Sequence, residues 1–85
     1  MARLGADEEK ATTPEKAFGV ALRQLRREQG LTQERLAFES GLHPTYISLL
    51  ERGLKSPSLG AVFRLSNSLG VKPSELLARV ETLLY

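Results

Sequence analysis

Residues 31–53, LTQERLAFESGLHPTYISLLERG, constrain the fold more than any other part of the sequence. Thr32 is a favourable N-cap residue, and the leucines at positions 31 and 36 have the spacing of a hydrophobic staple around it. Gly41 can adopt the left-handed conformation that commonly ends a helix. These signals predict a short helix over residues 33–40.

The second half of the same stretch carries another set of helix signals. His43 stands at the N-cap position, and Pro44 suits the first helical position because its fixed φ angle matches a helix. Gly53 is placed to end this helix, which we predict over residues 44–52. Only three or four residues separate the two helices. They must therefore cross steeply, as in a helix-turn-helix.

Glycines mark the ends of all the predicted helices except the last. Each of Gly30, Gly41, Gly53 and Gly70 follows an apolar-periodic segment and precedes Leu or Val, as at a glycine-terminated helix. Neither β-branched alternation nor an Asn-Gly hairpin predicts a strand. The sequence therefore predicts an all-α fold, a bundle of five short helices. Their predicted bounds are 14–29, 33–40, 44–52, 59–69 and 73–84.

Each predicted helix has apolar residues at helical spacing, which indicate its buried face. The predicted buried residues are Phe18, Ala21, Leu22 and Leu25 in the first helix, Leu36, Ala37, Ile47 and Leu50 in the central pair, Val62, Phe63, Leu65, Ser66 and Leu69 in the fourth, and Leu76 and Leu77 in the fifth. Gly19 weakens the first helix by roughly 0.5–1 kcal/mol relative to alanine. We therefore expect residues 14–18 to fray.

Residues 1–12 differ in composition from the rest of the chain. They are small and charged, with three acidic residues in a row, and they lack the apolar run of a signal peptide. We predict a disordered tail over residues 1–12 and one domain over residues 13–85. A chain of 85 residues has room for a single small core.

Further motifs accompany the two central helices. LTQERLA, a glycine, PTYISLLERG and a later PSL…LSNSLGV together resemble the DNA-binding domain of Cro and the phage repressors. The TYIS…ERG form is similar to short stand-alone regulators of that family, including the controllers of restriction–modification operons. The resemblance covers residues 16–77. It implies a lambda-repressor-like fold and a transcriptional regulator that binds specific sequences of double-stranded DNA.

One side of the second central helix is small and hydrogen-bonding, which suits a helix lying in a major groove. At 100° per residue, this side contains Thr45, Ser48, Leu49 and Arg52. The resemblance implies base contacts at His43, Pro44, Thr45, Ser48 and Leu49, with Tyr46 beside them as a further hydrogen-bond donor. The family often has Gln or Arg here, and this chain does not. We therefore expect modest direct base discrimination and a share of indirect readout through DNA shape. His43 is either a donor to DNA or only the cap of its helix.

Cationic and amide side chains around this helix are candidates for phosphate contacts. Gln33 opens the first central helix, where the helix dipole favours an anion, and the resemblance implies that it bonds a phosphate. The predicted phosphate-contacting residues are Arg23, Arg27, Gln33, Arg52, Lys55 and Ser56. Arg35 is either a further contact or the partner of a neighbouring glutamate. For any one of these cations alone, a solvated surface charge is the simpler interpretation.

Two charged residues have a structural interpretation instead. The resemblance pairs Arg26 with Glu51, which links the first and third helices. Arginine suits such a partly buried site because its guanidinium can bond a carboxylate at two points. We therefore assign both residues to stability and not to DNA binding.

The fifth helix is the predicted dimerisation surface. The simpler interpretation of its whole apolar stripe is that it closes the core under the fourth helix, as Leu76 and Leu77 can. The stripe extends about two turns past these two residues, however, further than we expect so small a core to cover. Exposed apolar clusters usually mark interfaces, and a twofold axis would place the same patch on both subunits. We predict a homodimer bound to a palindromic operator, with Val80, Leu83, Leu84 and Tyr85 at its interface.

The composition argues against catalysis and metal binding. The sequence has one His and no Cys, and it has no Gly-rich phosphate loop, so it offers no catalytic residues, metal ligands or cofactor site. A net charge of +2 is compatible with nucleic acid but does not by itself indicate it. No segment has the length of a membrane span, and no small-molecule effector site is evident. We expect a cytoplasmic bacterial or phage regulator. The alternative is an antitoxin or another protein-interaction module built on the same fold.

Overall fold

The computed structural model describes residues 13–85, which form five α-helices. They are α1 (Pro14–Glu28), α2 (Gln33–Ser40), α3 (Pro44–Glu51), α4 (Leu59–Leu69) and α5 (Pro73–Leu84). The described residues contain no strand, so the predicted all-α class is confirmed. The predicted ends of α1 and α3 are each one residue too long, because these residues are the helix C-caps. The predicted tail over residues 1–12 lies outside the described residues.

The helix starts use the caps that the sequence indicates. The hydroxyls of Thr13, Thr32 and Ser58 each accept a hydrogen bond from the backbone N–H three residues ahead, at 3.0–3.1 Å. Lys72, which precedes α5, has no acceptor of this kind. There the Glu75 carboxylate accepts from the backbone N–H of Lys72 at 2.7 Å. Here a side chain inside the first turn accepts from the backbone N–H of the cap residue, which is the reverse of the hydrogen bond at the other three caps.

Glycines end α1 to α4 as predicted. Gly30, Gly41, Gly53 and Gly70 all have positive φ angles, between 70° and 72°. The backbone N–H of the apolar residue after each glycine donates back to a carbonyl five residues earlier. These bonds are Leu31 to Arg26, Leu42 to Ala37, Leu54 to Leu49 and Val71 to Ser66, at 3.0–3.1 Å. The helix ends are therefore Schellman motifs, each followed by an apolar residue.

The core forms where the five helices pack against one another. α1 packs against α3 and α5, α2 packs against α3 and α4, and α4 packs against α5. The residues that are fully buried include Leu22, Leu36, Ile47, Leu50, Leu65, Leu69 and Leu76. α2 and α3 are thereby fixed on one side by the core, and their other sides face solvent.

The close packing of α1 on α3 depends on Gly19. A Cβ atom at this position would lie 2.4 Å from the Leu50 carbonyl oxygen and 2.6 Å from that of Glu51. Gly19 therefore lets the two backbones approach more closely than any other residue would allow. The expected fraying of residues 14–18 was wrong, because α1 runs unbroken from Pro14 and buries both Ala17 and Phe18.

Three predictions about apolar residues of α4 and α5 were wrong. Phe63 is 56% exposed, because the buried side of α4 is centred on Leu65 and Leu69. Val80 and Leu83, which were predicted to be left uncovered for a dimer interface, are only 7% and 8% exposed within a single chain.

The reason is that α5 packs against α1, so that Val80 and Leu83 belong to the same core cluster as Leu22 and Leu25. Arg79, in the middle of α5, donates at 2.7 Å to the carboxylate of Glu28, the last residue of α1. At helical spacing Val80 and Leu83 continue the buried stripe of Leu76. Leu77, which was predicted to close the core, is instead 44% exposed.

Candidate nucleic-acid interface

The helices α2 and α3 meet at a short turn over residues 41–43. Ala37 is almost completely buried, and this small side chain lies in the same core cluster as Ile47 and Leu50 of α3. Arg64 of α4 donates to the carbonyl of Gly41 at 3.4 Å. The turn is thus held by the core on one side and touched by α4 on the other.

The solvent-facing side of α3 contains the predicted base-contacting residues. Pro44 and Thr45 are exposed, and Ser48 and Leu49 are half-buried. Arg52, the C-cap of the helix, is also exposed. The structure therefore brings these side chains onto one surface, as the helical projection predicts, while the opposite side of α3 is fixed in the core.

His43 caps α3 through its ring. Its Nδ1 atom accepts a hydrogen bond from the backbone N–H of Thr45 at 3.1 Å, so the predicted capping role is confirmed. In a neutral imidazole, the nitrogen that accepts carries no proton and the other nitrogen donates. The cap therefore leaves Nε2–H as the donor of an exposed ring. Contact between this donor and DNA stays a prediction.

Tyr46 makes an intramolecular contact that the sequence did not predict. Its hydroxyl oxygen accepts a hydrogen bond from the backbone N–H of Ser58 at 3.2 Å, and its ring packs against the core cluster. Ser58 is the N-cap of α4, so Tyr46 connects α3 to the start of α4. The hydroxyl still has its own O–H to donate, so contact between Tyr46 and DNA stays a prediction.

Arg26 and Glu51 form the predicted ion pair between α1 and α3. Arg26 Nε donates to Glu51 Oε2 at 2.6 Å, and Nη2 donates to Oε1 at 3.0 Å. The side chains of Arg26 and Glu51 are 12% and 3% exposed, respectively. This hydrogen bond raises the pKa of the Arg26 guanidinium, although burial opposes the shift. Arg26 Nη1 also donates to the carbonyl of Leu31 at 2.7 Å, just before the cap of α2.

Gln33 joins the same network. Its Nε2 atom donates to Glu51 Oε1 at 3.0 Å, and the residue is half-buried. Gln33 is the first residue of α2, where the backbone N–H groups of the first turn point away from the helix. The predicted phosphate contact is not tested by this geometry, but the side chain has a fixed partner that sequence reasoning missed.

The remaining predicted phosphate contacts are exposed. Arg23 and Arg27 lie on the exposed side of α1, and Arg52, Lys55 and Ser56 lie at or after the end of α3. The ion pairs among residues 13–85 use Arg26, Arg35 and Arg79, and none of the four predicted phosphate-contacting cations takes part in one. Arg35 pairs with Glu39 at 2.8 Å, which confirms its alternative role.

A helix-turn-helix family model matches residues 22–76, from the middle of α1 to the first turn of α5. The chain belongs to this helix-turn-helix family. A curated relative of this helix-turn-helix protein is the control protein C.BamHI of Bacillus amyloliquefaciens. The two are 48% identical over 61 residues, which make up 71% of this chain and 75% of the control protein. The predicted family is thereby confirmed.

Solved structures of restriction–modification controller proteins have the same all-α fold. C.AhdI from Aeromonas hydrophila is 44% identical, with a TM-score of 0.70 over 72% of this chain and 92% of that chain. C.Esp1396I was solved as a tetramer in complex with its natural 35 base-pair operator. It is 25% identical, with a TM-score of 0.77 over 86% of this chain and 96% of that chain.

No helix within residues 13–85 is long and apolar enough to cross a membrane. Over the same residues, no three His, Asp or Glu side chains converge as metal ligands.

Sequence reasoning missed contacts that position the motif in this helix-turn-helix protein. Besides Gln33, these involve Tyr46 and Gln29, whose side-chain amide donates to the Leu69 carbonyl at 2.5 Å. Each is a polar side chain next to a helix end, and that position is the only signal in the sequence. The partner in each case lies on another helix or loop, so the pairing becomes visible only in the folded chain.

Proposed function

We propose that this protein is a transcriptional regulator that binds specific sequences of double-stranded DNA as a homodimer, with α3 in the major groove of each half-site. The observation that carries this proposal is the surface of α3. Its small polar residues face solvent while its opposite side is fixed in the core, and cations without an ion-pair partner within residues 13–85 flank it. A rigid helix with such a surface suits the major groove. A regulator of this kind would act on DNA in the cytoplasm of a bacterial cell.

Sequence preference would come from the start of α3. Thr45 and Ser48 can donate to or accept from base edges, and Leu49 and Pro44 can pack against thymine methyl groups. The ring of His43 adds a donor at Nε2. Because α3 presents no Arg, Asn or Gln that could bond one base at two points, part of the specificity would come from the shape of the DNA.

Phosphate contacts would set the position of the protein on the duplex. The cationic side chains lie on two segments next to the motif, with Arg23 and Arg27 on α1 and with Arg52 and Lys55 after α3. Contacts of this kind fix register and orientation, and they release counterions from the DNA. Ser56 and Gln33 would add neutral hydrogen-bond donors.

The homodimer would form through exposed apolar residues of α4 and α5. Phe63 and Leu77 lie on these two helices, and Leu59 and Tyr85 are exposed near their ends. An apolar groove beside them is lined by Phe18, Pro57, Val62, Leu77 and Val80. The proposed interface therefore differs from the predicted one: it is centred on Phe63 and Leu77, keeps Leu84 and Tyr85 at its edge, and excludes the buried Val80 and Leu83. The tetrameric operator complex of C.Esp1396I supports assembly on DNA for this kind of fold.

DNA binding is tested by selecting duplexes from a random library and measuring the affinity of the best site at several salt concentrations. Arg52→Ala should weaken binding to all sequences and reduce the salt slope by about one. Thr45→Ala should change the preference among sequences. Arg79→Ala is the matched control, because its charge is already paired with Glu28. A wild-type protein that selects no sequence and shows no salt dependence would refute the proposal and favour a protein-interaction module.

The dimer is tested by sedimentation of the wild type and of two variants with the same chemical change. Phe63→Glu should give a monomer, because it places a charge in the proposed interface. Phe38→Glu is the control, because Phe38 is also exposed but lies on α2. A wild type that is monomeric at tens of micromolar would contradict the proposed homodimer. A Phe63→Glu variant that remains dimeric would contradict the proposed surface.

A further inference from the structure

Glu51 does more than balance the charge of Arg26. We propose that Glu51 is a positioning residue for DNA binding, which orients the Gln33 side-chain amide so that its second N–H is directed towards a phosphate at the start of α2. This inference rests on the proposed function. It assigns to a buried carboxylate, whose stabilising role is already described, a second role in the affinity for DNA.

The position of Glu51 is fixed from three directions. Its Oε2 atom accepts from Arg26 Nε at 2.6 Å, and its Oε1 atom accepts from both Arg26 Nη2 and Gln33 Nε2, each at 3.0 Å. The side chain is 3% exposed, so it has almost no freedom to turn. Glu51 is therefore a rigid acceptor, and it fixes the direction of the Gln33 side-chain amide that donates to it.

Holding one N–H of a planar amide defines the direction of the other. The Gln33 side chain has two N–H donors on a single nitrogen, and one of them is used by Glu51. An unrestrained glutamine would have to give up its rotamer freedom on binding, which opposes association. Because Glu51 orients the amide in the free protein, this cost is met on folding and does not reduce the affinity.

The start of α2 is held by the same network. Arg26 Nη1 donates to the carbonyl of Leu31 at 2.7 Å, and the hydroxyl of Thr32 caps the helix. The residues just before Gln33 are thus held in place, which fixes the position of its backbone N–H and the starting point of its side chain. The charge of Arg26 also balances that of Glu51, so the carboxylate does not repel an approaching phosphate.

The test is a double-mutant cycle on DNA affinity, with the ion pair replaced as a unit. Arg26→Met/Glu51→Met removes the acceptor, keeps the net charge and leaves apolar side chains of similar length, a replacement that buried pairs often tolerate. Gln33→Ala should weaken binding about tenfold in the wild-type background, as expected for a hydrogen bond to a charged group. In the Arg26→Met/Glu51→Met background the same substitution should cost less than about twofold.

The salt dependence separates this role from charge effects. Gln33 is neutral, so Gln33→Ala should lower the affinity without changing the salt slope, unlike Arg52→Ala. An equal loss from Gln33→Ala in both backgrounds would overturn the positioning role while leaving the proposed function standing. If the wild type does not bind DNA selectively, both proposals fail.

A measurement on the wild type covers the case in which the double variant does not fold. The side-chain amide of Gln33 should have a high NMR order parameter in the free protein, close to that of the backbone. The exposed amide of Asn67 on α4 is the control and should be mobile. A Gln33 amide as mobile as that of Asn67 would overturn the inference without any variant.

Discussion

Replacing Gly19 with alanine should destabilise this protein, although alanine is normally the better residue inside a helix. Helix propensity alone would raise the free energy of unfolding by roughly 0.5–1 kcal/mol. Against this, the new Cβ would lie 2.4 Å from the Leu50 carbonyl oxygen, whereas ordinary contacts begin at 3.4 Å. The opposing atoms belong to the backbone of α3, which cannot rotate away.

The size of the effect follows from these two opposing contributions. Overpacking of a core typically costs ~1–3 kcal/mol, and a clash with backbone should lie at the upper end of this range. After the gain in helix propensity, we expect the free energy of unfolding to fall by about 2 kcal/mol. For a domain of this size, that corresponds to a decrease in Tm of roughly 8–16 °C.

Urea unfolding followed by circular dichroism measures this effect, at one fixed protein concentration because self-association would stabilise the fold. Gly60→Ala is the matched control. Gly60 lies in the first turn of α4, and the nearest atom to a Cβ there is the Ser58 hydroxyl oxygen at 4.0 Å. That variant should be more stable than the wild type by up to about 1 kcal/mol. The reasoning is refuted if Gly19→Ala is as stable as the wild type, or if both variants shift in the same direction.

Three further predictions concern stability. His43→Ala should cost about 1 kcal/mol in thermal melts because α3 loses its cap, whereas His43→Ser should restore most of it; an unchanged His43→Ala melt would count against the cap. Leu83→Ala should lower the free energy of unfolding, measured in urea, by ~2–5 kcal/mol, and Leu77→Ala should lower it much less because Leu77 is half-exposed. Equal losses would contradict the assignment of only Leu83 to the core. Arg26→Met should lower the free energy of unfolding by about 3 kcal/mol because it leaves a buried carboxylate unpaired, and adding Glu51→Met should recover most of this loss. If the effects of the two substitutions simply add in the double variant, the ion pair is disproved.

The helix bounds were predictable because the information is local. A cap such as Thr32 and a terminator such as Gly41 act on residues within one turn of themselves, so a pattern in the sequence is sufficient. The exposed side of α3 was predictable for a similar reason, since Thr45 and Ser48 are placed by helical periodicity alone. The pairing of Arg26 with Glu51 was available only from the family resemblance.

What could not be predicted depends on which element lies opposite a side chain. Gly19 has the sequence signature of a weak point in a helix, and only the position of α3 gives it a packing role. Phe63 and Leu83 are both apolar residues at the margin of a helical stripe. Leu83 is buried because it lies on the side of α5 that faces the core, whereas the buried side of α4 is centred on Leu65 and Leu69 and leaves Phe63 exposed. Gln33 gives no sign in the sequence that a carboxylate 18 residues away accepts a hydrogen bond from its side-chain amide.

The glycine ends of α1 to α4 also bear on how fast the chain folds. Each of these helix ends is closed by hydrogen bonds between residues at most five apart. It can therefore form before any distant part of the chain is in place. Chains whose structure depends mainly on such near neighbours, as in helical bundles, reach the native state in microseconds to milliseconds. We expect this protein to refold on that timescale after each transient opening. A domain this small opens often, and rapid refolding shortens the time for which its apolar residues are available to aggregate or to be cleaved.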